Sequence, residues 1–503
     1  MGMRYVRLCL ALGLFVACLP HFQASAGFSA FDLRRGMDGL LDAPGGYGLT
    51  WMAAAGDVNG DGRRDVIVST TTTDYNNRTD SGAAWVVFGP LKDGPTNVGD
   101  TPNGGFRIEG AEAGDYAGVG VAGLGDVNGD GLDDVLVGAY KANNVRNDQS
   151  GVAYVVFGKE TNGTVDLALF KAPTPDGFRI DGASNRDHIG ANIADTGDVN
   201  GDGFNDMILG SVFGGSAYVV FGKKDSTPVD LATFDLPSPQ GFRIDHPTPP
   251  HNGEEAYGVE GVGDVNGDGR PDLYVDACPP TQRGYCKNKT SRAWIIFGKP
   301  GTAPVDVRDL GNAGFRIKGA RDGTNLTTRP GGSADLNKDG KADFLVLGYG
   351  PYGRDAFVVY GKKNTDTIRL KKLGRRGYLI NGWVGDSHGG PFNMKPFRDA
   401  AAAGDVNLDG IPDMVIGSPY SSPRGRKYAG TAFVIYGQRG RKTVELRNLG
   451  SRGYRLDGPE KNSLFPFHLE GVGKLNGDKR PDLLLNFPLR GKIIVSWGKK
   501  HGT

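Results

Sequence analysis

The chain has 503 residues, with 58 basic against 57 acidic residues, 38% hydrophobic residues and 82 glycines. So even a charge balance leaves no overall electrostatic footprint for nucleic acid, and beyond the N-terminal leader no stretch is long and apolar enough to cross a bilayer as a helix. Length alone favours about three domains, a count that an internal repeat overrides.

Residues 1–26 read as a secretory signal peptide: Arg4 and Arg7, an apolar run from Leu8 to Leu19, then Ala24-Ser25-Ala26, with cleavage expected before Gly27. Cys18 offers a lipoprotein alternative, but Phe15-Val16-Ala17 is a poor match to the Leu-led motif that lipidation uses. The expected location is therefore secreted, periplasmic or at the cell surface. Cleavage removes Cys9 and Cys18, and leaves Cys278 and Cys286, eight apart in ACPPTQRGYCKNK. Export to an oxidising compartment favours a disulfide between them over two free thiols.

From residue 27 to residue 503 one nonapeptide recurs seven times: DVNGDGRRD from Asp57, DVNGDGLDD from Asp126, DVNGDGFND from Asp198, DVNGDGRPD from Asp264, DLNKDGKAD from Asp335, DVNLDGIPD from Asp405 and KLNGDKRPD from Lys474. The starts are 69, 72, 66, 71, 70 and 69 residues apart, the mark of a repeat architecture. Each repeat predicts four strands. A Gly/Ala-rich strand A precedes the loop, and an apolar strand B follows it. Strand C ends in aromatic-Gly (AAWVVFG, VAYVVFG, SAYVVFG, RAWIIFG, DAFVVYG, TAFVIYG, KIIVSWG). Strand D reads GFRIEG, GFRIDG, GFRIDH, GFRIKG, GYLING and GYRLDG. Short strands between Gly, Asn and Asp turns mark an all-β chain. The expected fold is a seven-bladed β-propeller of four-stranded blades, which leaves only short protected edges. The seventh repeat ends after its strand C, so FDLRRGMDGLL (residues 31–41) is expected to supply its strand D and close the ring.

Oxygen ligands at alternate positions around a central Gly suit a hard cation. In the first loop the expected Ca²⁺ ligands are Asp57, Asn59, Asp61 and Asp65 with the backbone carbonyl of Arg63. The equivalent sets are Asp126, Asn128, Asp130, Leu132 and Asp134; Asp198, Asn200, Asp202, Phe204 and Asp206; and Asp264, Asn266, Asp268, Arg270 and Asp272. Two more follow: Asp335, Asn337, Asp339, Lys341 and Asp343; and Asp405, Asn407, Asp409, Ile411 and Asp413. An EF-hand would need a Glu at position twelve, where these repeats carry Val68, Val137, Leu209, Val275, Val346, Ile416 and Leu485. Loop five should bind with Lys338 and Lys341 pointing outward. Loop seven should bind no metal, the ammonium of Lys474 sitting instead near Asn476, Asp478 and Asp482. About six structural Ca²⁺ sites are expected, each tying strand A to strand B.

No HExxH, GxSxG or GxxxxGK[ST] pattern is present. Of His188, His246, His251, His388, His468 and His501, only the loop pair His246 and His251 could offer a ligand site, and a solvated loop is the simpler reading. The Gly-Lys pairs after strand C, such as Gly158-Lys159 and Gly222-Lys223, read as turn caps. No catalytic residue is assigned, and an enzyme is not expected.

The DVNGDG loops, the Val-Gly-Ala-Tyr run at 137–140, the Ile-Gly-Ser-Pro run at 416–419 and the aromatic-Gly strand ends together resemble the FG-GAP repeats of the integrin α-subunit head. Similar repeats occur in phosphatidylinositol-glycan-specific phospholipase D and in exported microbial proteins. The resemblance implies a seven-bladed propeller, Ca²⁺ under the hairpins of one face and ligands on the other. The integrin thigh, calf and membrane segments and the catalytic domain of the phospholipase have no counterpart, so a monomeric ring without transmembrane signalling is expected. The B–C loops and D–A links of the opposite face carry residue types enriched at binding hot spots: Tyr75 and Arg78, Arg146, Tyr285, Trp383, and Arg424 and Arg426. A binding or adhesion module for an extracellular protein or glycan is the leading reading. The alternatives are a lectin or a polysaccharide-active enzyme with a site on the same face.

Overall fold

The computed structural model describes residues 30–32, 39–42, 48, 50–91, 94–99, 104–145, 148–185, 187–245, 255–278, 292–319, 325–326, 331–350, 353–382 and 397–498. The expected signal peptide, Cys286, Tyr285, Arg146 and Trp383 lie outside them.

Blade 1 sets the pattern. Strands A (Trp51–Gly56), B (Asp65–Thr70), C (Ala83–Val87) and D (Gly105–Glu109) run antiparallel in that order. Strands B and C are buried along their whole length, because neighbouring blades cover both faces, and so they read as continuous apolar runs without alternation. The pattern recurs through blade 2 (Gly120–Gly125, Asp134–Ala139, Val152–Val156, Gly177–Asp181) and blade 3 (Asn192–Gly197, Asp206–Gly210, Ser216–Val220, Gly241–Asp245). Blade 4 is Glu255–Gly263, Asp272–Cys278, Arg292–Ile296 and Gly314–Lys318, and blade 5 is Gly331–Ala334, Asp343–Gly350, Gly353–Val359 and Gly377–Asn381. Blade 6 is Asp399–Gly404, Asp413–Ser418, Thr431–Ile435 and Gly453–Asp457.

Blade 7 takes strands A (Leu469–Gly473), B (Asp482–Phe487) and C (Lys492–Ser496) from the end of the chain and strand D (Gly39–Asp42) from its beginning. Gly39 lies opposite Val495 and Asp42 opposite Lys492, so the expected closure by strand exchange is what the structure has. Strand A of each blade touches strand A of the next, including Trp51–Gly56 against Leu469–Gly473. Among the described residues the core divides into seven clusters, one per blade interface, and one of these joins Leu41, Met52 and Trp85 to Leu484, Ile493 and Val495 across the closing seam.

Each blade also carries a fifth, short strand that the sequence did not announce. It comes from the C–D link of the following repeat and pairs parallel to strand D: Gly163–Asp166 on blade 1, Val229–Asp230 on blade 2, Val305–Asp306 on blade 3, Ile368–Arg369 on blade 4 and Val444–Glu445 on blade 5. Ala30–Asp32 does this for blade 6 and Gly94–Asn97 for blade 7.

The inner strands crowd the axis. A Cβ on Gly123 would lie 2.3 Å from the carbonyl oxygen of Ala54, and one on Gly471 would lie 1.9 Å from that of Ala402, which is why strand A is Gly/Ala-rich. The axial cavity they leave encloses about 470 Å³.

Candidate metal loops and the upper face

The nonapeptides join strands A and B on one face, together with the C–D links; the B–C loops and D–A links form the opposite, upper face. Within a loop the carboxylates first organise the backbone. In loop two Asp126 Oδ1 accepts from Gly129 N at 2.6 Å and Asp126 Oδ2 from Gly131 N at 2.9 Å. Asn128 Oδ1 accepts from Asp130 N at 2.8 Å, and Asp130 Oδ1 accepts from Leu132 N at 2.9 Å. Loops one, three, four, five and six repeat this folding of the first carboxylate onto the amide of position six: Asp57 takes Gly62, Asp198 takes Gly203, Asp264 takes Gly269, Asp335 takes Gly340 and Asp405 takes Gly410. The third-position Asn accepts from the fifth-position N–H in loops one, three, six and seven as well.

The ninth-position Asp does something different. Asp65, Asp134, Asp206, Asp272, Asp343, Asp413 and Asp482 are all fully buried. In each, Oδ2 accepts the N–H of position two, and Oδ1 accepts the N–H of the glycine that ends strand C: Gly89, Gly158, Gly222, Gly298, Gly361, Gly437 and Gly498, at 2.7–3.0 Å. The aromatic-Gly signature follows. A Cβ on Gly437 would lie 2.1 Å from the carbonyl oxygen of Pro412, and one on Gly298 would lie 2.3 Å from that of Pro271. Burial pushes the Asp134 carboxyl up to about 8, and the carboxylates of Asp130 and Asp126 push the same way. Asp65, Asp206, Asp272, Asp343 and Asp413 rise to about 7 for the same first reason. Asp482, whose loop lacks the first carboxylate, rises only to about 6.

In donor chemistry these loops fit a hard cation. The donors are oxygens alone, from one short segment, with the first and fifth carboxylates held close enough to raise the proton affinity of the ninth. As the loops stand, no three carboxylate, imidazole or thiolate groups among the described residues converge tightly enough to hold an ion.

Two expectations for the loops are corrected. Lys474 is exposed and makes no ion pair with Asp478 or Asp482 among the described residues; Asp478 is exposed as well, so water competes for both charges and a pair between them would gain little. Lys341 does not point outward, because its Nζ turns back to 3.3 Å from Asp339 Oδ1. Lys338, at φ 61° where the first four loops carry Gly, reaches toward Gly410 of the next loop.

The loops also stitch the blades in one rotational sense. The carbonyl of Asp57 accepts from Asp133 N of the next blade, Asp126 from Asn205 and Asp264 from Ala342. The second-position carbonyls of Val58, Val127 and Val265 accept from Lys159, Lys223 and Lys362, and that of Leu475 from Leu91. Those lysines are the Gly-Lys turn caps. Lys223 Nζ donates to Asp225 O and Thr227 O, and Lys159, Lys223, Lys299 and Lys362 each lie over the strand D phenylalanine of the preceding blade, 3.7–4.6 Å from its centroid.

On the upper face several expected hot-spot residues are committed within their blades. Arg78 grips Asp166 through two bonds of 2.6 and 2.9 Å. Tyr75 lies edge-on to Trp85 with Arg107 over its ring at 4.2 Å, and Arg424 Nε donates to Asp457 at 3.1 Å. What the sequence reading missed is an aromatic row across blades 1 to 3. Tyr116 to Tyr140, Tyr140 to His188 and His188 to Phe213 have centroids 6.1, 5.6 and 5.2 Å apart, and Lys141 stands 4.3 Å over Tyr116. Tyr116 and His188 occupy equivalent D–A positions at φ 55° and 53°, and Phe213 is 40% exposed. The signal for it was the repeated Asp-Tyr-Ala-Gly and Asp-His-Ile-Gly, which place an aromatic in the same left-handed turn. His468 Nδ1 lies 3.3 Å from Asp399 Oδ2, with the ring 4.1 Å from that of Trp51. This joins the inner strands of blades 6, 7 and 1.

The FG-GAP repeat pattern matches residues 51–87 and 397–435. The chain is 30% identical over 243 residues to phosphatidylinositol-glycan-specific phospholipase D of Mus musculus, covering 45% of this chain and 25% of that protein. It is 28% identical over 170 residues to integrin alpha-2 of Mus musculus, covering 33% and 13%. It is 35% identical over 115 residues to integrin alpha-PS2 of Drosophila melanogaster, covering 22% and 8%. The aligned part spans a quarter or less of each relative.

Proposed function

Because this chain is an FG-GAP repeat propeller whose repeats resemble those of integrin α subunits, we propose that it is an exported, non-enzymatic binding module. Its lower loops hold structural Ca²⁺, and its upper face takes an extracellular protein or glycan. The observation that carries this reading is the aromatic row Tyr116, Tyr140, His188 and Phe213, mounted by left-handed turns on a rigid seven-bladed scaffold. Preorganised aromatics lose little entropy on binding.

Ca²⁺ would be held in loops one to six by the first, third, fifth and ninth side chains and the seventh carbonyl, and would offset the repulsion among three carboxylates. The protein's own part is to fold each loop through the amide bonds described above. Phospholipase D appears in the names of three relatives, but the aligned part is a quarter of each, so their activity gives no ground for an enzyme here.

The test is affinity capture of extracellular proteins and a glycan array, each run with Ca²⁺ and with chelator, on the wild type and on Tyr116→Ala/Phe213→Ala. Loss of capture in the variant, with unchanged melting, supports the reading. Equal capture by the variant overturns the upper-face site, and turnover of a glycan would overturn the non-enzymatic assignment.

A further inference from the structure

The outer end of strand D follows a rule that one blade breaks. The last residue of strand D and its partner on the fifth strand are Glu109 and Asp166 in blade 1, Asp181 and Asp230 in blade 2, and Asp245 and Asp306 in blade 3. They are Asn381 and Glu445 in blade 5, Asp457 and Asp32 in blade 6, and Asp42 and Asn97 in blade 7. Acids and amides fill these twelve positions.

In blades 1, 2, 3 and 6 the strand D acid clamps the arginine two residues earlier. Arg107 Nε donates to Glu109 at 2.9 Å, Arg179 pairs with Asp181, Arg243 Nε lies 2.6 Å from Asp245, and Arg455 Nη2 donates to Asp457 at 3.1 Å. Glu109, Asp181 and Asp457 are buried in these clamps.

In blade 4 the charges are inverted. Arg292 of strand C lies directly opposite Lys318 of strand D, and Lys318 lies directly opposite Arg369 of the fifth strand. Arg316 stands two residues before Lys318, where blades 1, 2, 3 and 6 place the clamped arginine. All four are exposed, and none makes an ion pair among the described residues. Like charges directly opposite on neighbouring strands destabilise a sheet, and cross-strand neighbours stand only about 5 Å apart. The cationic surface continues along the rim. The C–D links of blades 5 and 6 (361–376 and 437–452) hold twelve basic and two acidic residues, whereas those of blades 2 and 3 (158–176 and 222–240) hold four and six. Tyr360 joins the two basic links, its N–H donating to Arg376 O and its Oη to Gly440 O at 2.7 Å.

We propose that this edge of blade 4, extended onto Lys371 and Lys372, is a docking site for a linear anionic polysaccharide. Sulfate or carboxylate groups of the ligand would take the place of the acids that the other blades carry. The four clamped arginines show which group satisfies this position: a carboxylate, met by a guanidinium in charge-assisted hydrogen bonds. A lipid surface fits less well, since the exposed large apolar side chains among the described residues, Val145, Leu169, Phe213, Leu236 and Leu408, all lie on other blades and an interfacial patch needs such groups. This site is separate from the aromatic row and does not depend on it.

The test uses the purified full-length chain in millimolar Ca²⁺ on immobilised heparin at about 0.15 M salt, where exposed charges more than about 8 Å apart are screened. Wild type should be retained. Lys318→Asp, which restores the clamp for Arg316, should weaken Kd about tenfold with melting unchanged or raised, and Arg369→Gln should weaken it without restoring a clamp. Lys171→Gln, at a cation already paired with Glu112, should leave retention unchanged. Flow-through of the wild type, equal retention of Lys318→Asp, or tighter binding to phosphatidylglycerol vesicles or duplex DNA than to heparin would each overturn the proposal.

Discussion

Asp276 and Tyr274 lie side by side along strand B of blade 4, both buried, with Tyr274 Oη donating to Asp276 Oδ2 at 3.1 Å. Burial pushes the Asp276 carboxyl up to about 8, against about 3.9 in an unfolded chain. The folded state therefore binds the proton more tightly, and the stability this contributes is complete below about pH 4 and lost as pH rises toward 8. Asp276→Asn, which mimics the protonated carboxyl, should fold normally and flatten the decline of Tm between about pH 5 and 8; a slope equal to that of wild type in differential scanning calorimetry would refute this. The loops allow a second dissection. Asp134→Ala orphans two buried N–H groups and should cost about 2–5 kcal/mol with or without calcium, whereas Asp126→Ala, whose amide bonds lie on the exposed part of the loop, should cost less without calcium and lose most of the increment in Tm that calcium brings. The regular spacing of the carboxylates was plain in the sequence, but their division of labour was not, since one motif serves both tasks. Only loop seven separates them, by keeping Asp482 after losing the first carboxylate.

At the scale of elements, glycines set the approach of one strand to the next. Gly151 and Gly430 precede strand C at φ 79° and 81°, and a Cβ there would lie 2.3 and 1.8 Å from the carbonyl oxygens of Ile189 and Phe465 in the D–A links. Gly151→Ala should lower stability by about 1–3 kcal/mol and loosen the aromatic row, which thermal denaturation and tyrosine fluorescence would report. Strands A to D were legible because each carries an apolar run closed by a turn signal. The fifth strand was not, because two residues such as Val229–Asp230 or Ile368–Arg369 show no periodicity. Its trace in the sequence is one buried β-branched residue per link, at Val165, Val229, Val305, Ile368 and Val444. The aromatic row escaped because Tyr116 and His188 come from separate links and meet Tyr140 and Phe213 only when neighbouring blades pack together.

For the whole molecule, blade count and closure were readable because a seven-fold repeat with one missing strand admits few solutions. Removing residues 27–42 should leave the outer edge of strand C of blade 7 unpaired and expose part of the Leu41, Val66 and Ile493 cluster. The truncated chain should therefore melt at lower temperature and with less cooperativity than the full one, and equal transitions in calorimetry would count against the seam. The latch also sets an order of events. Asp42 and Lys492, which meet at 2.7 Å, are 450 residues apart, so the segment synthesised first is the one fastened last. Six blades can assemble as they emerge, while the seventh waits with a bare edge until residues 39–42 and 492–495 meet. Closing so long a loop costs chain entropy that local contacts do not recover beforehand. During that interval the bare strand C can accept the same segment from another copy of the chain, and the concentration of half-made rings then decides between closed monomers and exchanged dimers.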